Sequence, residues 1–96
     1  MSQREIESII VSILKKYSIS RVGVFGSFAR NEINTLSDID LLVSFIDTPS
    51  LLQLVKIERE ISEAVGYKID LITENSIQNS KLKAHITKDL KVLYNA

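Results

Sequence analysis

Val24-Phe25-Gly26-Ser27-Phe28-Ala29-Arg30 and, shortly after it, Ser37-Asp38-Ile39-Asp40-Leu41-Leu42-Val43 are the segments that decide how this chain reads. A Gly-Ser pair closes one apolar run, ten residues separate Ser27 from Asp38, and an Asp-x-Asp opens the next apolar run. Glycine lets backbone approach a phosphate closely, and the start of a following helix offers free N–H groups with a partial positive charge. The Ser27 hydroxyl can donate to the same phosphate. In a strand, residues two apart share a face, so Asp38 and Asp40 are expected to project together while Ile39 and Leu41 face the core. Two such carboxylates repel each other when both are ionised, and a cation between them reverses the sign. Mg²⁺ suits that position, because it binds through one or two carboxylates together with substrate phosphates. The two segments therefore read as a phosphate cradle beside a divalent-metal half-site, the pairing that nucleotidyl transfer from a nucleoside triphosphate needs.

A third carboxylate extends the pattern. Asp70 lies inside Lys68-Ile69-Asp70-Leu71-Ile72, an apolar run that reads as a strand, where an aspartate is a poor choice unless it has a partner. If that strand lies beside the one carrying Asp40, the three carboxylates can hold two Mg²⁺ ions about 3.5–4 Å apart, the spacing of in-line phosphoryl-transfer sites. Arg30, in the first turn after Gly26-Ser27, is a weaker candidate for a triphosphate or substrate contact. Each feature taken singly has an ordinary structural explanation: a turn, a cap, a sheet-edge residue, a solvated cation. Their agreement in strand–turn–helix and strand contexts gives the pattern its weight.

Working outward, residues from Gln3 to Tyr17 place Ile6, Ile9, Ile10, Ile13, Leu14 and Tyr17 at helical spacing, with acid early and base late as the helix dipole favours. Ser20 to Phe25 predicts a buried strand, Ser27 to Asn31 a short helix and Asp38 to Phe45 a central strand. Thr48-Pro49 offers a capping hydroxyl before a proline, a start signal for a helix that carries Leu51, Leu52, Leu54, Val55, Ile57, Ile61 and Val65 and ends at Gly66. Most of that apolar face is expected in the core, with some left exposed as an interface. Tyr67 to Thr73 predicts a third strand and Ser76 to about Ile86 a helix. Leu90 to Tyr94 predicts a fourth, edge strand or the end of that helix. The expected fold class is α/β (α+β): a small mixed sheet of three or four strands flanked by helices, in one domain spanning residues 1–96. His85, the sole histidine, is remote in sequence from the aspartates and is expected to be solvated or packed. Tyr17, Tyr67 and Tyr94 are expected in the core or at its rim.

Composition bounds the rest. The 96 residues suit a single modest core. Twelve basic and twelve acidic residues cancel, so no overall charge draws the chain to nucleic acid or an anionic membrane. There are no cysteines, which excludes disulfides, thiolate ligands and a cysteine nucleophile. No apolar run approaches the ~20 residues of a membrane span, and the cytoplasm is the expected compartment.

Gly26-Ser27, Asp38-x-Asp40 and the later strand aspartate Asp70 resemble the minimal nucleotidyltransferases of the DNA polymerase beta-like superfamily, most closely the MNT antitoxins of MNT–HEPN toxin–antitoxin pairs. The resemblance spans nearly the whole chain, from the leading helix to the Leu93-Tyr94 ending. It implies the polymerase beta-like fold, with Asp38 and Asp40 binding Mg²⁺. Asp70 would complete the site and help activate the attacking hydroxyl, and Gly26 and Ser27 would hold the phosphates of ATP. It also implies transfer of AMP from ATP to a tyrosine hydroxyl of a HEPN toxin, which the modification silences, and hence a hetero-oligomer with that toxin. Asn31 departs from the pattern, since many relatives carry glycine after the Ala-Arg. Asn tolerates left-handed backbone angles, so the turn is expected to survive. Two rival readings are a non-catalytic antitoxin that neutralises its partner by contact, and a nucleotidyltransferase acting on a small molecule or an RNA end. The neutral charge disfavours the RNA reading.

Overall fold

The computed structural model describes residues 2–30 and 38–96; Met1 and residues 31–37, including Ser37 and the Asn31 departure, lie outside the described residues. Helix α1 (Gln3–Leu14) starts where Ser2 and Glu5 form a reciprocal capping box, and it buries Ile6, Ile10 and Leu14 along one stripe. A 3₁₀ turn (Lys15–Tyr17) extends it, and Ser18, at φ 56°, turns the chain into strand β1 (Ile19–Phe25). One helical turn, α2 (Gly26–Ala29), follows, and after the undescribed segment comes β2 (Ile39–Phe45). Helix α3 (Leu51–Val65) leads to β3 (Ile69–Thr73), a 3₁₀ turn (Glu74–Ser76), α4 (Ser80–Lys88) and β4 (Lys91–Asn95).

The four strands form one sheet in the order β3-β2-β1-β4. β1 runs antiparallel to β2 and β4, while β2 and β3 are parallel and joined through α3. The last segment is thus an edge strand rather than a continuation of the helix. Alternate strand residues Val22, Val24, Ile39, Leu41, Val43 and Ile69 share one face and pack with Ile6, Ile10 and Leu14 of α1 and Ile57, Ile61 and Val65 of α3. Tyr17, Tyr67 and Tyr94 lie half-buried against this core, at its rim as expected. Leu42 points to the other face and is also buried, as is Ile86 of α4. Gly23, the register partner of Leu42, leaves the space that Leu90 occupies, since a Cβ there would overlap the Leu90 side chain. The second face is therefore roofed in part by α4 and the residues that follow it.

Two helix starts differ from the sequence reading. Ser50, not Thr48, caps α3, accepting from the Gln53 N–H, and the helix begins at Leu51 beyond Pro49. A cap needs its oxygen aimed back at the second or third N–H, and Ser50 alone stands at that offset. The last helix begins at Ser80 rather than Ser76, because Asn79 caps it through the Lys81 and Leu82 N–H groups while Glu74–Ser76 closes a separate 3₁₀ turn. Gly66 ends α3 at φ 79° as read. The exposed part of the α3 face is Leu51, Leu52 and Val55 in its first turns. Among the described residues no helix is long and apolar enough to cross a membrane.

Candidate active site

The end of β1 and the starts of β2 and β3 meet at one edge of the sheet, because β1 is antiparallel to β2 and β2 is parallel to β3. Phe25 stands opposite Asp40, and Asp40 stands opposite Asp70. The Gly26-Ser27 turn follows Phe25 directly, so the backbone of Gly26 sits against the Asp40 carboxylate. Gly26 has φ +72°, and a Cβ there would lie closer than 3.0 Å to Asp40 Oδ2, a separation that real Cβ atoms do not show. Glycine is required there on two counts, backbone conformation and space.

Asp38, immediately before β2, and Asp70 are exposed, whereas Asp40 is half-buried. Burial is the main cause that raises the Asp40 carboxyl above the ordinary aspartate value, followed by the negative charges of Asp70 and then Asp38. Asp40 is therefore near enough to feel both other carboxylates, and β3 lies beside β2 with Asp70 opposite Asp40. Among the described residues no three Asp, Glu, His or Cys side chains close into a ready metal cage. Mg²⁺ does not require one, since one or two carboxylates and the phosphates of an arriving nucleotide complete its shell. The donor set is all hard oxygen and carries the like-charge strain a divalent cation relieves, so these residues fit that ion.

A cleft of about 740 Å³ opens beside this cluster, with Asp40 the member of it in the lining. Gly26, Ser27, Arg30 and Asp40 line one side. The opposite wall is α4 with its C-cap Asp89, presenting Leu82, His85, Ile86 and Asp89 at i, i+3, i+4 and i+7 along one stripe. Arg30 Nη1 donates to Asp89 Oδ2 at 2.9 Å, tying the end of α2 to the end of α4 across the cleft. The sequence-predicted Arg30 is thus at the site, held by an acidic residue that the reading did not single out. His85 is solvent-exposed, as expected, and it lines the cleft, a placement the sequence reading did not address. The stripe Leu82–His85–Ile86–Asp89 is visible in the sequence and could have flagged both residues.

Beyond the aspartates on the same face, Arg21 Nη2 donates to Glu74 Oε1 at 2.5 Å, and the Ser44 hydroxyl donates to Glu74 Oε2. These contacts tie β1 and β2 to the segment that runs from β3 into the cleft lip at Ser76 and Ile77. On the outer edge of β3, Glu58 of α3 accepts from the Leu71 N–H at 3.1 Å, covering part of an otherwise open strand.

A family model described as "Polymerase beta, Nucleotidyltransferase" matches residues 8–96. A Methanocaldococcus jannaschii protein named as a candidate protein adenylyltransferase is 46% identical over 79 residues, covering 81% of this chain and 81% of that protein. The protein adenylyltransferase MntA of Thermococcus cleftensis is 32% identical over 87 residues, covering 86% of this chain and 88% of that protein. Among solved structures, an MNT antitoxin in complex with the tri-AMPylated HEPN toxin of Shewanella oneidensis superposes with a TM-score of 0.81. At 21% identity, over 99% of this chain and 74% of the other, that likeness establishes a shared fold.

Proposed function

Since this chain belongs to the polymerase beta nucleotidyltransferase family, we propose that it is a protein adenylyltransferase that uses Mg²⁺ and ATP to modify a tyrosine hydroxyl of a HEPN-domain toxin, acting as its antitoxin. The observation that carries this reading is the register pair Asp40–Asp70 set against the Gly26 turn. It gathers carboxylates and a close-approach glycine at one mouth of the cleft, and a simple nucleotide-binding module has no need of that gathering. The names of the 46% and 32% identical relatives support protein adenylyl transfer, and the Shewanella complex supports a HEPN partner.

In this reading the acceptor oxygen attacks the α-phosphorus of ATP, the bond from that phosphorus to the bridging oxygen breaks, and pyrophosphate leaves. The Ser27 hydroxyl and the turn at Gly26 hold the phosphates, and Arg30 flanks them. Asp38, Asp40 and Asp70 are the ligands for magnesium, which when bound neutralises phosphate charge and favours in-line attack. In the same reading Asp70, exposed and opposite Asp40 in the strand register, accepts the proton of the acceptor hydroxyl. The cleft has no second lobe of this chain to grip an acceptor among the described residues, so the toxin's own surface supplies that grip.

The test is to incubate the protein with α-labelled ATP, Mg²⁺ and a HEPN-domain protein from the same genome. Label is expected on one or more toxin tyrosines and is expected to vanish with Asp38→Ala or Asp40→Ala. Transfer that persists in both variants overturns the assignment of the aspartates. Absence of transfer, with toxin still neutralised by the Asp38, Asp40 and Asp70 triple alanine variant, replaces the enzyme with a binding antitoxin.

A further inference from the structure

A nucleoside triphosphate brings about four negative charges into a cleft that already holds aspartates, so every cation facing it matters. Among the described residues lining the cleft, the side chains able to carry positive charge are Arg30 and His85. Residues 31–37 add none, since that segment contains no Lys, Arg or His. Arg30 is bonded to Asp89, so part of its charge is already balanced. Helix α4 carries Lys81, Lys83 and Lys88, but its cleft-facing stripe is Leu82, His85, Ile86 and Asp89, and the lysines stand off it. The one nitrogen donor that α4 aims into the cleft is the His85 imidazole.

The Arg30–Asp89 bridge says which end of the nucleotide His85 meets. Asp89 follows His85 by four residues, about 6 Å of helix rise on the same stripe. Its bond to Arg30 seats that end of α4 over α2, the turn that begins at Gly26-Ser27. The other end of α4, at Asn79, follows β3 and the Ile77 lip instead. His85 therefore faces the phosphate cradle from across the cleft. We propose that His85 is a phosphate-binding residue that contacts the β- and γ-phosphates, the part of ATP that leaves as pyrophosphate, with the Arg30–Asp89 bridge as its positioning device. An imidazole N–H donates to a phosphate oxygen in either protonation state. This deepens the nucleotidyl-transfer reading and rests on it.

Titration calorimetry with Mg²⁺ and three probes, ATP, inorganic tripolyphosphate and AMP, tests the assignment on the isolated chain. His85→Ala is expected to weaken ATP and tripolyphosphate about tenfold, the effect of losing one charge-assisted hydrogen bond, while leaving AMP unchanged. His85→Gln, which keeps an N–H donor, is expected to recover part of the loss, and His85→Glu to exceed it. Lys83→Ala, off the stripe, is expected to match the native protein. Native-like affinity of His85→Ala for both ATP and tripolyphosphate overturns the proposal, as does a loss that includes AMP to the same degree, which would mean a collapsed cleft. If the native chain binds AMP and ATP alike and tripolyphosphate not at all, the phosphate cradle itself is misassigned, and that failure is separate from the failure of His85 alone.

Discussion

Gly26 and Gly66 provide a matched pair of perturbations. Both have positive φ, +72° and +79°, so an alanine at either position takes on the left-handed backbone penalty of about 1–2 kcal/mol. For a domain of this size that lowers Tm by about 4–16 °C. The surroundings differ sharply. A Cβ at Gly66 meets nothing within 4 Å, whereas one at Gly26 overlaps Asp40 Oδ2. Ordinary contact begins at 3.4 Å, and reaching it requires the carboxylate to retreat by about 1 Å. Asp40 can do so by rotating its short side chain, at about 0.5–1.5 kcal/mol for an off-rotamer χ. Gly26→Ala is therefore expected to be only slightly less stable than Gly66→Ala. The functional consequence is expected to be much larger, because a misplacement of about 1 Å at a reacting centre can cost about a hundredfold in rate. Thermal unfolding of both variants, with Mg²⁺-ATP titration and adenylyl transfer measured in parallel, separates the two effects. The reasoning is refuted if Gly26→Ala keeps native turnover and metal–nucleotide affinity, or if Gly66→Ala loses as much of either as Gly26→Ala does.

Two further outcomes follow from the same geometry. The raised Asp40 carboxyl makes its ionised form a cost to the folded state: that cost is absent below the ordinary aspartate value and grows as pH rises through the elevated folded value. Asp40→Asn is thus expected to raise Tm at neutral pH in the absence of divalent cation, with the gain shrinking towards pH 4 and Mg²⁺ no longer adding stability; a variant less stable than the native chain at pH 7 under those conditions contradicts this. At the start of α3, Ser50→Ala is expected to cost about 1 kcal/mol and Thr48→Ala less than about 0.5 kcal/mol in denaturant unfolding, the reverse of what a Thr48 cap would give.

The strands and the carboxylates were legible because their signals are local. Runs such as Asp38–Phe45 are rich in β-branched and leucine residues, and an aspartate inside an apolar run announces that something offsets it. The α-β-α-β-α-β-α order follows from those runs and from helical spacing, while the last segment reads equally as an edge strand or the end of the helix. Strand order does not follow from them, since the pairing of Asp40 with Asp70 depends on β3 entering the sheet parallel to β2, and only packing of α3 on the core fixes that. The helix starts went astray for a different reason: Thr48 and Ser50 are both capping residues by type, and which one caps is decided by a backbone path two residues long. The place of His85 and Asp89 is hard to read because distance along the chain is no guide to distance in the fold. The β4 pairing with β1 folds the end of the chain back, and α4 comes with it over the cleft.

The division between the two sheet faces explains how so short a chain tolerates a crowded acidic edge. One face is closed by α1 and α3 over Val22, Val24, Ile39, Leu41 and Val43, all fully buried, and it carries the stability of the domain. The other face holds the candidate site, and its carboxylates sit at strand ends, where water still reaches Asp38 and Asp70. Of the three, Asp40 alone is withdrawn from solvent, with the Gly26 turn against its carboxylate, and that burial raises its carboxyl above the ordinary aspartate value. The desolvation cost is thereby confined to a single group. That same group has the most to gain from a cation, because a positive charge beside it offsets both its burial and the fields of its two neighbours. If the proposed function holds, the like-charge strain of the acidic cluster and its affinity for a divalent ion have one source, so any change that stabilises the ion-free protein at Asp40 also weakens its hold on the metal.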